Sequence, residues 1–372
     1  MNIYLFFTYG TSLYDWEKTG LLSREISIYQ EIAKKQGVKF TFVTYGNDKD
    51  LTIIKDIDGI KCFPVYKYMN ESKSSVVNFF KSFWIPYILR KHHMHPDLIK
   101  TNQLNGSWVA ILAKYLLNSK LIIRTGYDHF LFLNKQRKYV KSLFMYLLTW
   151  ISLKTCNIYT VTSKADYQFI SKYYIFSKRK LLLRPNWVHI PSTISNNRTS
   201  NKILLVGRLE NQKNYRYVIQ EFANKDIELD IYGEGSQKND LITFSKLHNV
   251  KCNFKGKLNH NQLIKEYSKY NIYVSASNYE GNPKSTLEAI ANGCVVICSD
   301  IPNNEEIISD GENGFLFELK KNKLIEKVEK LMSDDKLIKN IRENSYISLK
   351  ATNSFEKIYR QELQDYKDLT KS

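Results

Sequence analysis

The stretch Glu280-Gly-Asn-Pro-Lys-Ser-Thr-Leu-Glu288, with the run to Gly293 behind it, decides how this chain folds. An apolar, β-rich segment, Asn271 to Ser275, leads into it, and Ser277, Asn278 and Gly281 break that segment. Pro283 stands where a first helical residue is expected, because its missing N–H is no loss there. Lys284 to Ala291 predicts a helix closed by Gly293, and Cys294 to Cys298 a second apolar strand. Strand, polar loop, helix and strand make one unit of a parallel sheet, which aims the loop and the helix N-terminus at a ligand beyond the strand ends. The first N–H groups of such a helix are unpaired and partially positive, so they suit a phosphate. Glu280 and Glu288 flank that end. Carboxylates only accept hydrogen bonds, and a sugar or ribose diol beside a diphosphate offers paired donors. Taken singly, Glu288 is equally explained as a charge complementing the helix dipole, and Glu280 as a solvated loop residue. With Gly281, Pro283 and the run Leu287 to Gly293 around them, the ligand reading is the stronger.

Farther upstream, Lys202–Val206 predicts a strand that opens onto Gly207 and Arg208. Gly207 permits close backbone approach, Arg208 offers a planar fork for phosphate, and Lys213 adds a point charge. Tyr215 to Phe222 continues as a helix. Leu229–Tyr232 and Val250–Phe254 are further strands, followed by Gly233-Glu-Gly235 and Lys255-Gly256-Lys257. The glycine pair is no dinucleotide fingerprint.

Together, Val206-Gly-Arg-Leu209 with Lys213, the Glu280 to Ala289 stretch, Val295-Val296-Ile297 and Asp310-Gly-Glu-Asn-Gly-Phe-Leu-Phe317 resemble the signature of family-4 retaining glycosyltransferases. The resemblance is close in the second half of the chain and loose in the first. It implies the GT-B fold: two Rossmann-like, doubly wound parallel-sheet domains facing a cleft. Residues 1–190 would then bind the acceptor, 200–350 a nucleoside-diphosphate sugar, and a last helix within 351–372 would cross back to the first domain. It places the donor on Gly207, Arg208, Lys213, Gly281, Asn282, Pro283, Lys284, Ser285, Thr286 and Glu288, with Lys255 and Gly256 against the base. Glu288 falls on ribose hydroxyls, and Glu280, with Arg208 and Lys213, on the reacting sugar diphosphate. It also implies retention of anomeric configuration and no metal or other cofactor. Whether Glu280 is nucleophile or only orients the sugar stays open. So does the acceptor side, where Gly20 and the loop Thr125-Gly-Tyr-Asp-His129 offer Asp128, His129 or neither.

The first half of the chain alternates strand and helix patterns, from Ile3–Phe7 to Asn157–Thr162, which argues a doubly wound sheet independently of the resemblance. Asn186 to Ser200, with its Pro, Ser, Thr and Asn, reads as the linker. Charge is divided unevenly. Residues 1–200 carry 29 Lys and Arg against 12 Asp and Glu, and residues 201–372 carry 26 against 25. A half with net charge +17 suits an anionic partner: nucleic acid, an acidic membrane face or a phosphorylated substrate. No nucleic-acid module is recognisable and the phosphate features lie in the neutral half, so nucleic acid is not expected. Phe79 to Lys91 mixes aromatic and basic residues as interfacial helices do, with core and interface both open. Lys138 to Lys154 is expected to be a buried core helix, an interfacial one being the alternative. The longest run without a charged residue, 1–14, is shorter than the about 18 needed to span a bilayer. Five cysteines form no Cys-x-x-Cys pair, as suits a reducing cytosol.

The expected protein is thus a cytoplasmic, peripheral enzyme. It would move a sugar from a UDP- or GDP-linked donor to a saccharide acceptor, lipid-linked in surface polysaccharide synthesis. A nucleotide-sugar epimerase of the same fold and a basic nucleic-acid-binding protein are the alternatives.

Overall fold

Apolar strands alternating with amphipathic helices assemble into two parallel sheets, one in each of two compact units. A computed structural model describes residues 1–371 except 178, 193 and 195–197. The first unit comprises Met1–Arg184 together with the chain from Tyr359 onward, and the second comprises Pro185–Ile358.

The first unit holds β1 (Asn2–Phe6), β2 (Lys39–Thr44), β3 (Ile60–Pro64), β4 (Leu98–Thr101), β5 (Lys120–Thr125), β6 (Ile158–Val161) and β7 (Leu181–Leu183). They lie in the order β3-β2-β1-β4-β5-β6-β7, and every pair is parallel. The second holds β8 (Thr199–Val206), β9 (Glu228–Tyr232), β10 (Lys251–Gly256), β11 (Tyr270–Ser275), β12 (Val295–Ser299) and β13 (Phe315–Phe317), in the order β10-β9-β8-β11-β12-β13. In a parallel sheet helices cover both faces, so the central strands are apolar on both sides. All five residues of β12 are buried, which is why its sequence shows no alternation. Both sheets reverse direction beside their first strand, between β1 and β4 and between β8 and β11. Such reversals are where doubly wound sheets open a crevice at the strand ends. The edge strands β7 and β13 have three residues each, too few to show a period, and neither was expected from sequence.

The segment read as a linker is partly built into the second unit. Val188 exchanges backbone hydrogen bonds with Asn353 and Phe355, and the rings of Trp187 and His189 pack on Phe355. Residues 193 and 195–197 of that segment lie outside the described residues.

Lys138 to Lys154 is only in part the core helix expected. The helix Tyr139–Thr155 seats Met145, Leu148 and Leu153 in the core, and much of the rest of its apolar bulk is turned outward. Ser142, Thr149 and Ser152 are buried with them, whereas Val140, Leu143, Phe144, Leu147, Trp150 and Ile151 are exposed. The buried hydroxyls are satisfied locally. Ser142 donates to the Phe130 carbonyl, Thr149 to that of Met145, and Ser152 meets Ser107 at 3.2 Å. Small residues let the helices approach closely, and each buried hydroxyl has its partner. Phe79 to Lys91 is likewise split: Ser75–Ser82 and Ile85–Lys91 are separate helices that bury Ile85 and Leu89 and expose Phe80, Trp84 and Tyr87. Among the described residues no helix is long and apolar enough to cross a membrane.

From Tyr359 onward the helix Phe355–Lys371 is fixed in the first unit by charge. Lys100 of β4, only 3% exposed, donates to the Glu362 carboxylate and to the Tyr366 hydroxyl. Arg184 grips Asp365 with two hydrogen bonds of 2.8 and 2.6 Å. A buried ion is tolerable only while paired, so removing one partner costs more than removing both. Lys100→Met should therefore destabilise the first unit by about 3 kcal/mol, and adding Glu362→Leu should recover most of that loss. Urea unfolding of both variants checks this; a double variant no more stable than Lys100→Met would refute the pairing.

Candidate functional site

The site in the second unit grows from the reversal between β8 and β11. The loop after β8 begins at Gly207, whose carbonyl oxygen stands 1.9 Å from where a Cβ on Gly233 would be. Only glycine at 233 lets the loops after β8 and β9 touch backbone to backbone. The Gly233 N–H donates to the Gly256 carbonyl at 2.8 Å, which brings the end of β10 into the same row, with Lys255 exposed beside it.

The turn Asn211–Lys213 is stitched to the loop after β11. Asn278 donates from its backbone to the Gln212 carbonyl and from its side chain to that of Asn211. Gln212 donates to the Tyr279 carbonyl at 2.9 Å. This stitching places Lys213 Nζ 2.5 Å from Glu280 Oε1, with the side chains 14% and 9% exposed. The Ser277 hydroxyl donates to the same carboxylate oxygen at 2.6 Å, and Ser299 holds the Ser277 carbonyl. Arg208 remains exposed, donating to Gln212 at 3.2 Å.

Pro283 is the N-cap of the helix Lys284–Ala291 and not its first residue; its φ of −73° suits a helix but its ψ of 104° is extended. No side chain caps this helix end, in contrast to the ends capped by Ser12, Ser163, Asn259 and Asp334. Asn282 serves the loop itself. Its side chain accepts from the Asn186 N–H at 2.9 Å and its carbonyl from the Asn186 side chain at 2.6 Å, while Asn353 holds Asn186 from behind. Gly281 is buried with it, and the Lys284 ammonium lies 5.7 Å from the centre of the Trp187 ring. Ser285 accepts from the Tyr273 hydroxyl, and Thr286 is wholly buried. Glu288, 3% exposed, faces the Tyr267 hydroxyl at 3.5 Å and His260 Nδ1 at 3.7 Å.

Sequence reasoning missed Asn186, His260 and Tyr267. The capping box Asn259 and Gln262, which fixes the start of the helix His260–Tyr267, is legible in the sequence and could have drawn attention to His260. Asn186 carried no local signal, because its partner lies 96 residues away.

In the first unit Gly20 lies in the turn between the helices Leu13–Lys18 and Leu22–Gln36, donating to the Glu17 carbonyl. Asp128 is 2% exposed and caps the helix His129–Lys135 by accepting from the Leu131 N–H at 2.8 Å. Burial, with the nearby Asp166, pushes its carboxyl up to about 7. Burial pulls His129 down to about 4 and so favours the neutral ring, which stacks on Tyr127. All five cysteines are free thiols, and burial pushes those of Cys156, Cys294 and Cys298 up to about 12. Among the described residues no group of three or more His, Cys, Asp or Glu is placed to hold a metal ion.

Two parallel sheets in this order define a GT-B protein. Over 99% of this chain and 100% of the other, the structure superposes on Anabaena HepE, solved with UDP and glucose, with a TM-score of 0.76 at 16% identity. Residues 190–347 match the family described as Glycosyl transferases group 1. Two curated relatives are each 31% identical to this chain. One is the UDP-N-acetylglucosamine–peptide N-acetylglucosaminyltransferase GtfA subunit of Limosilactobacillus reuteri, matched over 39% of this chain and 29% of that protein. The other is the N-acetylgalactosamine-N,N'-diacetylbacillosaminyl-diphospho-undecaprenol 4-alpha-N-acetylgalactosaminyltransferase of Campylobacter jejuni, matched over 40% and 42%. The chain spans less than half the length of either.

Asp128 gives a pH prediction. Its folded pKa of about 7 lies above the ordinary 3.8, so the stability it contributes is full below about pH 4 and is lost as pH rises through 7. Asp128→Asn keeps the cap and cannot ionise. Its melting temperature should equal the wild type's near the acid end and exceed it by several degrees at about pH 8. Equal melting temperatures throughout would show that Asp128 does not titrate this way.

Proposed function

We propose that the chain is a retaining glycosyltransferase that moves a sugar from a UDP- or GDP-linked donor to a saccharide acceptor. The Lys213–Glu280 pair carries this reading, set at the strand-order reversal beside the exposed Arg208 and the uncapped helix end at Lys284. Breaking the bond between sugar and diphosphate builds negative charge on the leaving group. Arg208, Lys213 and the N–H groups of Lys284 to Thr286 would stabilise that charge, as fixed dipoles and cations aimed at a developing anion do. These cations take the role a divalent metal would otherwise fill. The ion pair of Lys213 and Glu280 is the resting arrangement. An arriving diphosphate competes for Lys213 and releases Glu280 to accept from the donor sugar's hydroxyls. Glu288, held by Tyr267 and His260, accepts from the ribose. HepE was solved with UDP and glucose, which supports a UDP-linked donor; the name of the Campylobacter relative specifies a diphospho-undecaprenol saccharide, which supports a lipid-linked acceptor. Gly20, Asp128 and His129 remain the acceptor-side candidates, the last two as supports of their loop.

A thermal-shift screen of UDP- and GDP-sugars tests the donor, since a ligand bound only by the folded state raises its apparent stability. Incubation with donor alone separates transfer from epimerisation, which would change the sugar without an acceptor. Arg208→Ala should weaken donor binding by about 1.5–3 kcal/mol, roughly ten- to a hundredfold. Unchanged binding and turnover in both Arg208→Ala and Lys213→Ala would remove the diphosphate cradle.

Glu288→Gln keeps the shape of the side chain and weakens acceptance of ribose hydroxyls. Donor affinity should fall about tenfold or more while the melting temperature without donor stays within a few degrees of wild type. A parallel loss of both would make Glu288 a structural residue.

A further inference from the structure

We infer that the first unit carries an amphipathic docking face for an anionic lipid bilayer, built on the helix Tyr139–Thr155 and the segment Val76–Tyr87. The exposed apolar residues of Tyr139–Thr155 recur at 140, 143, 144, 147, 150 and 151, one stripe of the helix. The opposite side, carrying Met145, Leu148 and Leu153 together with Ser142, Thr149 and Ser152, is the one packed into the protein. A helix that already seats one set of apolar residues in the core and still exposes Leu143, Leu147 and Trp150 has a second apolar side, turned to a medium other than water. The stripe is continuous with the second segment. Phe144 lies 6.2 Å, centre to centre, from Phe79, which in turn touches Phe80 and Phe83. At the other end Trp150 meets Phe176, with the exposed Ile175 next to it.

Charge identifies the occupant. Residues 72–96, 129–165 and 167–184 contain no aspartate or glutamate. Arg137, Lys138 and Lys141 stand at one end of the stripe and Lys154 at the other, all exposed. The Lys154 ammonium lies 5.3 Å from the centre of the Trp150 ring, and Lys172 relates in the same way to Tyr173. Apolar bulk in the middle, aromatic rings at the margin and cations around it, on segments that carry no aspartate or glutamate, match an anionic headgroup layer over acyl chains. A protein partner would have to bring both a large apolar patch and an acidic rim. Since no described helix is long and apolar enough to span, the face lies on the bilayer.

This surface belongs to the first unit and the proposed donor site to the second, and its test needs no catalysis. The full chain is floated with vesicles of phosphatidylcholine alone and of phosphatidylcholine with phosphatidylglycerol, at low and high salt. Wild type should float with the anionic vesicles, less so at high salt, and poorly with the neutral ones. Leu147→Asp with Trp150→Ser places polar groups on exposed positions. It should lower vesicle affinity about tenfold or more while leaving the melting temperature and donor binding unchanged. Equal binding to neutral vesicles, or none to either kind, overturns the inference. So does full binding by the double variant. A wild-type self-association that the double variant abolishes, without vesicle binding, would make the face a contact between protein copies instead.

Discussion

Lys213 held against Glu280 is the interaction on which the second unit's site depends, and it does not exist for stability. Two charges this far from water lose hydration that their mutual attraction repays only in part, and an apolar pair would pack there at less cost. The surrounding structure is spent on keeping them together. Gln212 and Asn278 tie the two loops, Ser277 supplies a hydrogen bond to the carboxylate, and Ser299 holds Ser277 in turn. In the function proposed above, a pair so supported, at the point where the strand order reverses, would be exchanged for a ligand of the right charge. An anionic ligand can take the lysine, and a ligand rich in hydroxyls can take the glutamate. A sugar diphosphate brings both in one molecule.

Close backbone approach is the second constraint. The loops after β8 and β9 meet at Gly207 and Gly233 without room for a methyl group between them. That contact brings the ends of β8 and β9 together, with Arg208 and Lys213 on the loop that leaves β8. The glycines near 207 and 233 are therefore geometric, and their spacing matches no dinucleotide fingerprint because no dinucleotide turn is being built.

The second half of the chain was legible because its signals are local. The strand Tyr270–Ser275, the loop broken by Gly281 and the helix Lys284–Ala291 follow one another within about twenty residues, and each announces itself by composition. The boundary at Pro283 fell one residue away, within the ordinary uncertainty of a helix end. What sequence could not supply were contacts between distant segments, such as Asn186 on Asn282, His260 on Glu288 and Lys100 on Glu362. It also could not orient the helix Tyr139–Thr155. The helix is apolar on more than one side, and the default assumption that apolar residues point inward held for Met145, Leu148 and Leu153 but not for the stripe from Val140 to Ile151. The serines and threonines on its other side were the available clue, since small hydroxylated residues permit close helix packing when each hydroxyl has an acceptor.

Positive charge is used in two different ways along this chain. In the second unit the totals nearly cancel, and Arg208 and Lys213 stand five residues apart in one loop, with Lys213 fixed on Glu280. A local field of that kind, as proposed, would suit a compact anion and be little screened, because Lys213 is only 14% exposed. In the first unit the excess is large, and among the described residues exposed lysines and arginines border apolar surface. A dispersed field of that kind suits an extended anionic partner and weakens steeply with salt. The difference explains why net charge alone pointed equally to nucleic acid, membrane and substrate. Placement separates them. Cations converging on a helix N-terminus read as a phosphate site, whereas cations bordering exposed leucine and tryptophan read as a surface for lipid, since a nucleic-acid backbone offers those apolar side chains no comparable gain.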